Sequence, residues 1–445
     1  MRKNNKRRNK TITGVGDKQD RRDEEIIDTA AKGLYRSGSN DPSWYSKSPQ
    51  LVKDVASFPF GYPTGEPIQL SGTNQEGQIF VPGVMAINTT PTIGRAGGDL
   101  ADPINIAASN LYSWIRQANS GHANYDAADL MLYVVAMDSL YSLHAWMRRI
   151  YGIANAYTPT NKYYPKGLIR AMNVDFDDVI ANLAQLRANI NLFARSLSSF
   201  RIPTRFSYIT RHQWMYNSLF VDSTTSKAQS YLFNLLHIWK FDNTSTTGTK
   251  LVPVEVATSM LTVSEIASIW NEVFQAVQND EDVNIMSGDI LKAFPNEVLV
   301  APEIPENYTV LPIYDERVLM QIHNSRAVGR IAVADSFINQ DPSINGGAIG
   351  AAYRWGVSYA SYATDGYYWA NWYCQYPHLL NYFKDDVTPD DVMEASRLTT
   401  FGTVVAGAND VNAINVSTVG SEIVHDYTIV THMPYRGAQQ WVVLN

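Results

Sequence analysis

Apolar residues recur with a helical period in the centre of the chain. The clearest run covers residues 126–152, where apolar side chains occupy nearly all faces, as is typical of a buried helix. Asp126 is placed to cap the start of this helix. Arg148 and Arg149 fall in its expected last turn, and Gly152 follows as the expected C-terminal stop. The pattern predicts one long helix that builds the core.

Shorter amphipathic runs predict further helices on both sides of this one. Asp102 and Pro103 mark the start of the first, and a capping box from Thr262 to Glu265 marks a later one. The predicted helices cover residues 103–120, 176–200, 205–220, 262–278 and a segment that ends at Pro295. The predicted strands cover residues 77–87, 230–241 paired with 251–256, 308–313, 396–405, 422–431 and 440–444.

Composition divides the chain into segments. Residues 1–40 are polar and rich in lysine, arginine and asparagine, which predicts a disordered basic N-terminal arm. Residues 41–225 predict a helix-rich domain, residues 226–300 a strand pair with helices, and residues 301–445 a mixed, strand-rich C-terminal part. The predicted fold class is therefore mixed α+β and helix-rich, with a largely α-helical domain and a more strand-rich one.

Charge separates the arm from the rest of the chain. The 445 residues carry a net charge of −7. Residues 1–22 hold nine basic and two acidic residues, a net charge of +7, which leaves −14 on the other 423 residues. A basic tail on an acidic body favours contact between the tail and a polyanion such as nucleic acid. The candidate RNA-binding residues are Arg2, Lys3, Lys6, Arg7, Arg8, Lys10, Lys18, Arg21 and Arg22.

The single cysteine and the lack of a recognisable signal peptide indicate a reducing compartment. The single cysteine, Cys374, excludes a disulfide within the chain. The N-terminus is basic and lacks the apolar region of a signal peptide. No stretch reaches the roughly 18 apolar residues of a membrane span, so no stable membrane insertion is predicted.

Motifs for catalysis and for nucleotide or metal binding are missing from the sequence. It contains no H-E-x-x-H, no G-x-S-x-G and no G-x-x-x-x-G-K-[ST], so we predict no enzyme activity, no cofactor and no metal. His144 is either a hydrogen-bonded core histidine or a general base, and its buried helix favours the core. Asp138 is expected to have a buried partner such as an arginine. The four aspartates within residues 385–391 could bind a divalent ion, but a solvated loop or a helix cap is favoured.

Aromatic residues are concentrated in one stretch near the C-terminus. Residues 353–383 contain twelve of them. Tyrosine and tryptophan suit a core or a protein–protein interface, and stacking on nucleobases or sugars is the alternative. The candidate interface residues are Tyr367, Tyr368, Trp369, Trp372 and Tyr373.

Several runs resemble the coat proteins of picobirnaviruses, small viruses with a segmented double-stranded RNA genome. Among them are DPSWYSKSPQLVKDVASFPF, VPGVMAINTTPTIG, IPTRFSYITRHQWMYNSLFVDSTTSKAQ and YTVLPIYDERVLMQIHNS. The similar runs are spread from about residue 41 to residue 398, and the last fifty residues resemble the family least. Each run alone is a weak signal, whereas their common order is fairly specific.

The resemblance implies a viral capsid subunit whose symmetric dimers tile an icosahedral shell around the RNA. It implies a helix-rich shell domain that begins within residues 41–225, and a protruding domain with more strand, to which residues 226–300 could contribute. The helix at residues 126–152 would then lie in the core of the shell domain. The resemblance also implies a place in the virion after assembly in the host cytoplasm, with self and double-stranded RNA as partners.

Two other classes of protein stay open at this point. A nucleoprotein that coats RNA without closing a shell also fits the basic arm. An enzyme such as a viral polymerase is less favoured, because the GGDL at residues 97–100 is not the carboxylate pair of two-metal polymerases.

Overall fold

The fold is described from a computed structural model of the chain. The described residues are 67–69, 78–80, 83–94, 98–120, 124–158, 163–223, 228–245, 248–327, 332–333, 336–340, 347–356, 380, 382, 386–405, 413–435 and 438–444. The predicted basic arm and residues 357–379 of the aromatic stretch lie outside them. Nothing in the structure therefore tests those two predictions.

The helices make up most of the first two thirds of the described chain. They are α1 (Pro103–Ala118), α2 (Ala127–Ala154), α3 (Tyr163–Ala171), α4 (Phe176–Ala181), α5 (Leu183–Leu197), α6 (Ser207–Asn217), α7 (Val263–Gln278), α8 (Glu281–Ala293), α9 (Glu316–His323) and α10 (Pro389–Ala395). Asp102 stands at the N-cap of α1, as predicted. Its carboxylate accepts a hydrogen bond from the Asp99 N–H at 3.1 Å and none from the helix.

The strands form sheets that combine distant parts of the chain. They are β1 (Pro67–Gln69), β2 (Gln78–Phe80), β3 (Val84–Pro91), β4 (Leu219–Val221), β5 (Ser230–Leu235), β6 (His237–Phe241), β7 (Lys250–Glu255), β8 (Pro312–Ile313), β9 (Ala332–Val333), β10 (Phe337–Gln340), β11 (Ile349–Ala352), β12 (Arg354–Gly356), β13 (Thr400–Val405), β14 (Ala413–Thr418), β15 (Glu422–Tyr435) and β16 (Ala438–Leu444). The predicted mixed α+β, helix-rich class is confirmed.

The largest of the described sheets has six strands in the order β16-β15-β3-β5-β4-β8. Strands β3 and β5 run parallel, and the chain between them forms α1 to α6 and β4. Such a crossover is what a parallel pair requires. Two four-stranded sheets have the orders β11-β10-β7-β6 and β13-β14-β12-β9, and β1 pairs with β2. One continuous hydrophobic cluster includes residues from Val84 to Val430.

Helix α2 lies at the centre of this cluster. Asp126 closes a capping box, because its carboxylate accepts from the Asp129 N–H at 3.1 Å and Asp129 accepts from the Asp126 N–H at 3.2 Å. Every residue from Leu130 to Ala154 is buried. The predicted long core helix is therefore confirmed.

The predicted end of α2 is wrong. Gly152 lies inside the helix, which continues to Ala154. A Cβ atom at Gly152 would lie 2.5 Å from Cγ2 of Val310 and 2.9 Å from the Val310 nitrogen. The glycine is therefore needed for close packing, not for a stop signal. Arg148 and Arg149 are buried and lie before the last turn of the helix, not in it as predicted.

A methyl group at Gly152 should therefore destabilise the protein. We expect Gly152→Ala to lower the free energy of unfolding by roughly 1–3 kcal/mol through overpacking against Val310. The exposed Gly288 of α8 is the matched control, since a Cβ there meets nothing within 4 Å. Gly288→Ala should raise the free energy of unfolding by about 0.5–1 kcal/mol. Urea unfolding of the two unassembled variants measures both, and equal effects would contradict the assigned packing.

Helix boundaries differ from the predicted ones. The predicted helix over residues 176–200 is two helices, α4 and α5, which meet at Asn182. The predicted helix over residues 205–220 ends at Asn217, because the next residues form strand β4 beside β5. Tertiary pairing overrides the helical pattern there.

Strand boundaries shift for a similar reason. The predicted strand over residues 230–241 divides at Leu236, whose N–H donates to the Thr89 carbonyl at 2.9 Å. As a result β5 joins the six-stranded sheet, whereas β6 pairs with β7 as predicted. Only Pro312–Ile313 of the predicted strand at residues 308–313 is a strand. The predicted strand over residues 77–87 is two strands, β2 and β3, which lie in different sheets. The strands predicted at residues 251–256, 396–405, 422–431 and 440–444 are present with shifted ends.

Candidate functional site

The residues predicted to bind RNA and to form an interface lie outside the described residues. This applies to all nine basic arm residues and to the five aromatic candidates within residues 367–373. Tyr353 and Tyr382, near the two ends of the aromatic stretch, are among the described residues. Tyr353 is buried, and its hydroxyl accepts from the Ile93 N–H at 3.0 Å, as the core interpretation expects. Tyr382 donates to the Asp391 carboxylate at 2.7 Å.

Four charged side chains meet inside the protein where α2, α6 and β15 pack together. We call Asp138, Arg211, His212 and Glu422 the charge cluster. His212 Nδ1 lies 2.7 Å from Asp138 Oδ2, and His212 Nε2 lies 3.3 Å from Glu422 Oε1. Arg211 Nε donates to the same Glu422 oxygen at 2.6 Å. The side chains of Asp138, His212 and Glu422 are at most 1% exposed, so these groups are almost fully removed from water.

The carboxylates of the charge cluster determine the protonation of His212. Burial lowers the pKa of His212, but Asp138 and Glu422 more than offset this effect and raise it to about 9. Burial also raises the pKa of Glu422, yet Arg211 and His212 outweigh it and hold that pKa well below its usual range. Burial raises the pKa of Asp138 against the attraction of His212. We assign the proton to His212, because both of its ring nitrogens face carboxylates.

This geometry suits a structural link better than a catalytic dyad. A general base needs a ring nitrogen that can take a proton from a substrate. Nδ1 of His212 lies 2.7 Å from Asp138, Nε2 faces Glu422 at 3.3 Å, and a pKa of about 9 keeps the ring protonated at neutral pH. The charge cluster thus opposes two cations to two carboxylates. Such a buried arrangement fixes how its elements pack, and losing one member leaves an uncompensated charge.

Polar contacts extend the charge cluster to two surface helices. Arg211 Nη2 donates to Gln321 Oε1 of α9 at 3.0 Å. Gln321 Nε2 in turn donates to Glu394 Oε1 of α10 at 2.7 Å. Arg211 and Glu422 are 211 positions apart in the chain. The cluster therefore joins the central helices to the strand-rich C-terminal part.

His212 should make stability depend on pH on the alkaline side. Its pKa is about 9 in the folded protein and about 6.5 in an unfolded chain. Because the folded pKa is the higher one, the stabilisation is fully present below about pH 6.5 and is lost as the pH rises through 9. We expect a loss on the order of 3 kcal/mol. Urea unfolding between about pH 6 and 10 measures it.

Two histidine variants provide the controls for this pH dependence. His212→Gln should remove the alkaline decline, whereas His323→Gln, at an exposed position in α9, should keep it. A wild-type stability that stays level over this pH range would contradict the charged state assigned to His212.

The buried polar residues of α2 have partners of different kinds. His144 is a core histidine, as predicted: its Nε2 lies 3.3 Å from the Ile190 carbonyl oxygen, and burial lowers its pKa to about 3. Asp138 has the buried partner that was predicted, but this partner is His212 and not an arginine.

Arg149 is held by backbone carbonyl groups. Its guanidinium donates to the carbonyl oxygens of Met215 at 3.5 Å and Ser218 at 3.2 Å, and also to that of Phe233. Met215 and Ser218 lie at the C-terminal end of α6, where carbonyl groups lack helical partners and a cation is favoured. Arg149 therefore ties α2 to the end of α6 and to β5.

A pair of buried histidines joins the six-stranded sheet to the β11-β10-β7-β6 sheet. The hydroxyl oxygen of Thr90 lies 2.8 Å from His425 Nε2 and 3.1 Å from His237 Nδ1. Burial lowers the pKa of His237 to about 4, so this ring is uncharged at neutral pH. These contacts connect β3 and β15 with β6.

Two clefts open on the surface of the described part. One, of about 580 Å³, lies beside the charge cluster and is lined largely by apolar side chains of α1, α2 and α10. The other, of about 620 Å³, is polar and contains Asp129, Asp242, Asp280 and Asp282. Within the described ranges, no three His, Cys, Asp or Glu side chains are grouped so that they could hold a metal ion.

The aspartates near residue 390 cap a helix. Thr388 and Asp391 form a capping box at the start of α10, with the Thr388 N–H donating to Asp391 at 2.9 Å. Asp390 lies in the first turn of the same helix. The helix-cap interpretation is confirmed for Asp391, and Asp386 is exposed, whereas Asp385 lies outside the described residues.

Sequence reasoning missed the charge cluster, apart from the burial of Asp138. His212 and Arg211 lie in a predicted helix with a mixed pattern, which gives no signal for a buried charge. Glu422 is the first residue of an apolar predicted strand. A carboxylate in that position was the one available indication of a buried charge. Its partners are too distant in the chain for any spacing rule.

Comparisons with known proteins point to one family. A family model described as picobirnavirus capsid protein matches residues 44–441. A capsid protein precursor of human picobirnavirus (strain Human/Thailand/Hy005102/-) is 35% identical in an alignment of 456 positions, which covers 96% of this chain and 80% of the relative. The crystal structure of the picobirnavirus capsid matches the fold with a TM-score of 0.72 at 23% identity, over 91% of this chain and 82% of that one. In the part of the chain that the structure describes, no helix is both long and apolar enough to cross a membrane.

Proposed function

The chain belongs to the picobirnavirus capsid protein family, and from this premise we propose that it assembles as dimers into a closed icosahedral shell around double-stranded RNA. The observation that carries the proposal is the match of residues 44–441 to that family. A capsid protein is a structural component of the virion, and its family implies self-assembly into a shell. We further propose that assembly takes place in the host cytoplasm.

Different parts of the chain form the shell and its protrusions. Residues 41–225 begin the shell domain, with α2 in its core, and residues 301–445 supply the strand-rich part. Residues 226–300 are the candidate protruding segment. The Trp239 N–H donates to the Ser139 hydroxyl of α2 at 2.9 Å, so β6 packs on the core helix. We therefore propose that β6 belongs to the shell domain and that any protruding part of residues 226–300 excludes this strand.

The proposal gives the arm and the aromatic stretch separate roles. The basic arm contacts RNA phosphates without sequence specificity, because lysine and arginine tails meet the backbone and not base edges. Its net charge of +7 contrasts with −14 on the rest of the chain, which supports this division. The aromatic residues at 367–373 support the dimer interface, since tyrosine and tryptophan are enriched at such contacts.

A nucleoprotein that coats RNA without closing a shell is the second candidate. The basic arm is the observation that favours it. Nuclease treatment followed by negative-stain microscopy separates the two functions. A capsid protein expressed alone gives closed particles that survive the nuclease, whereas a nucleoprotein gives filaments or rings that fall apart with their RNA.

A further inference from the structure

Helix α8 has an exposed face with an apolar centre. Its Val283, Met286 and Ile290 point into the core. On the opposite face, Ile285 is 42% exposed and Leu291 is 40% exposed. Gly288 lies between them, three residues from each, so the three positions follow one another on successive turns of this face.

Nothing inside the subunit requires a glycine at position 288. Glycine weakens a helix relative to alanine, so a glycine in the middle of α8 needs a compensating reason. Gly288 does not adopt a positive φ, and a Cβ atom there would meet nothing within 4 Å. Gly152 differs, because Val310 packs directly against it. A glycine on an exposed face does allow the backbone of another helix to approach closely.

The charges at the two ends of α8 complement each other. Glu281 and Asp282 lie in its first turn, and Lys292 lies in its last. The helix dipole alone accounts for these charges, so they do not indicate a partner by themselves. Together with the exposed apolar centre, however, they make the face self-complementary. An antiparallel copy of α8 would set its basic end against this acidic end.

We propose that α8 forms a two-fold contact with α8 of a second copy of the chain, with Gly288 near the axis. An axis there sets Ile285 of one copy against Leu291 of the other. This inference rests on the proposed self-assembly and names one surface that carries it. A contact through the same patch on both copies is the form that two-fold symmetry requires.

The neighbouring surface suits the border of such a contact. Trp114 of α1 is 45% exposed. The Arg205 guanidinium lies 5.8 Å from the centre of the Trp114 ring and 5.3 Å from that of Phe294, just beyond α8. Glu297 holds Arg205 in this position through two hydrogen bonds. Tryptophan and arginine are enriched at protein interfaces, and here both are held in place before contact.

Disulfide formation across the axis tests the contact directly. Gly288→Cys in a Cys374→Ser background should form a disulfide between two copies under mild oxidation, because closely packed helices bring the two Cα atoms within about 7 Å. Gln275→Cys, at an exposed position of α7, is the control and should stay largely reduced. If the Gly288→Cys variant stayed as reduced as the Gln275→Cys variant, the proposal would be overturned. If its new thiol were also unreactive to maleimide in the free subunit, another segment of the same chain would cover this face instead.

Size and charge variants give an independent test. Gly288→Gln should raise the protein concentration needed for assembly by roughly tenfold or more without lowering the thermal stability of the subunit. Glu281→Lys and Lys292→Glu should each weaken assembly, and the double variant should restore it. If the wild-type protein formed particles and Gly288→Gln formed them at the same protein concentration, this contact alone would be overturned. Failure of the parent to form particles would instead count against the proposed capsid function.

Discussion

Replacing Glu422 with glutamine is expected to lower the free energy of unfolding by roughly 3–5 kcal/mol. The Glu422 carboxylate is fully buried and faces both Arg211 and His212. Glutamine preserves the shape and part of the hydrogen bonding but removes the negative charge. The two cations of the charge cluster then face Asp138 alone. A buried charge that loses its partner is costly, because the interior offers no water to solvate it.

Urea unfolding of the unassembled protein near neutral pH measures this effect. Glu303→Gln is the matched control, because Glu303 forms a similar pair with Arg195 at 2.8 Å in an exposed position. We expect that variant to unfold almost as the wild type does, since solvent screens exposed ion pairs. If Glu422→Gln changed stability as little as Glu303→Gln, the charge cluster could not be what holds β15 to the central helices.

Deleting residues 2–10 is expected to produce particles that close but contain much less RNA. The deletion removes six of the nine basic residues of the arm. If about six phosphates of the duplex are engaged per arm, the logarithm of the RNA affinity should fall with the logarithm of the salt concentration at a slope of roughly −5. The deletion should make this slope shallower. Filter binding by unassembled subunits gives the slope, and absorbance of purified particles gives the RNA content.

A variant of unchanged length isolates the role of charge. Replacing Arg2, Lys3, Lys6, Arg7, Arg8 and Lys10 with glutamine should reproduce the effects of the deletion. Wild-type RNA content and slope in both variants would rule out the arm as the RNA contact. A basic patch on the inner face of the shell would then be required.

Local patterns were sufficient to predict α2, α7 and most strands. A long run with apolar residues on every face can only be a buried helix, and capping residues such as Asp126 and Thr262 mark starts through short-range hydrogen bonds. The end of α2 could not be predicted in this way. Gly152 resembles a stop signal, and only its contact with Val310, far along the chain, shows its packing role.

Sheet order and the charge cluster depend on long-range pairing. Strand β3 lies between β5 and the C-terminal β15, and no local pattern specifies either neighbour. The partner of Asp138 illustrates the same limit. Burial of this carboxylate followed from its helix, but the choice between an arginine and His212 depended on how α6 packs. Spacing along the chain predicted the burial of Asp138, whereas the packing of distant elements determines which groups this carboxylate meets.

Cryo-electron microscopy of the full chain expressed without any other viral protein tests the central claim most directly. We expect uniform closed particles with icosahedral symmetry, built from two-fold related subunits, that persist after nuclease treatment. Filaments or rings that require RNA, or small soluble oligomers that never close at high protein concentration, would contradict it.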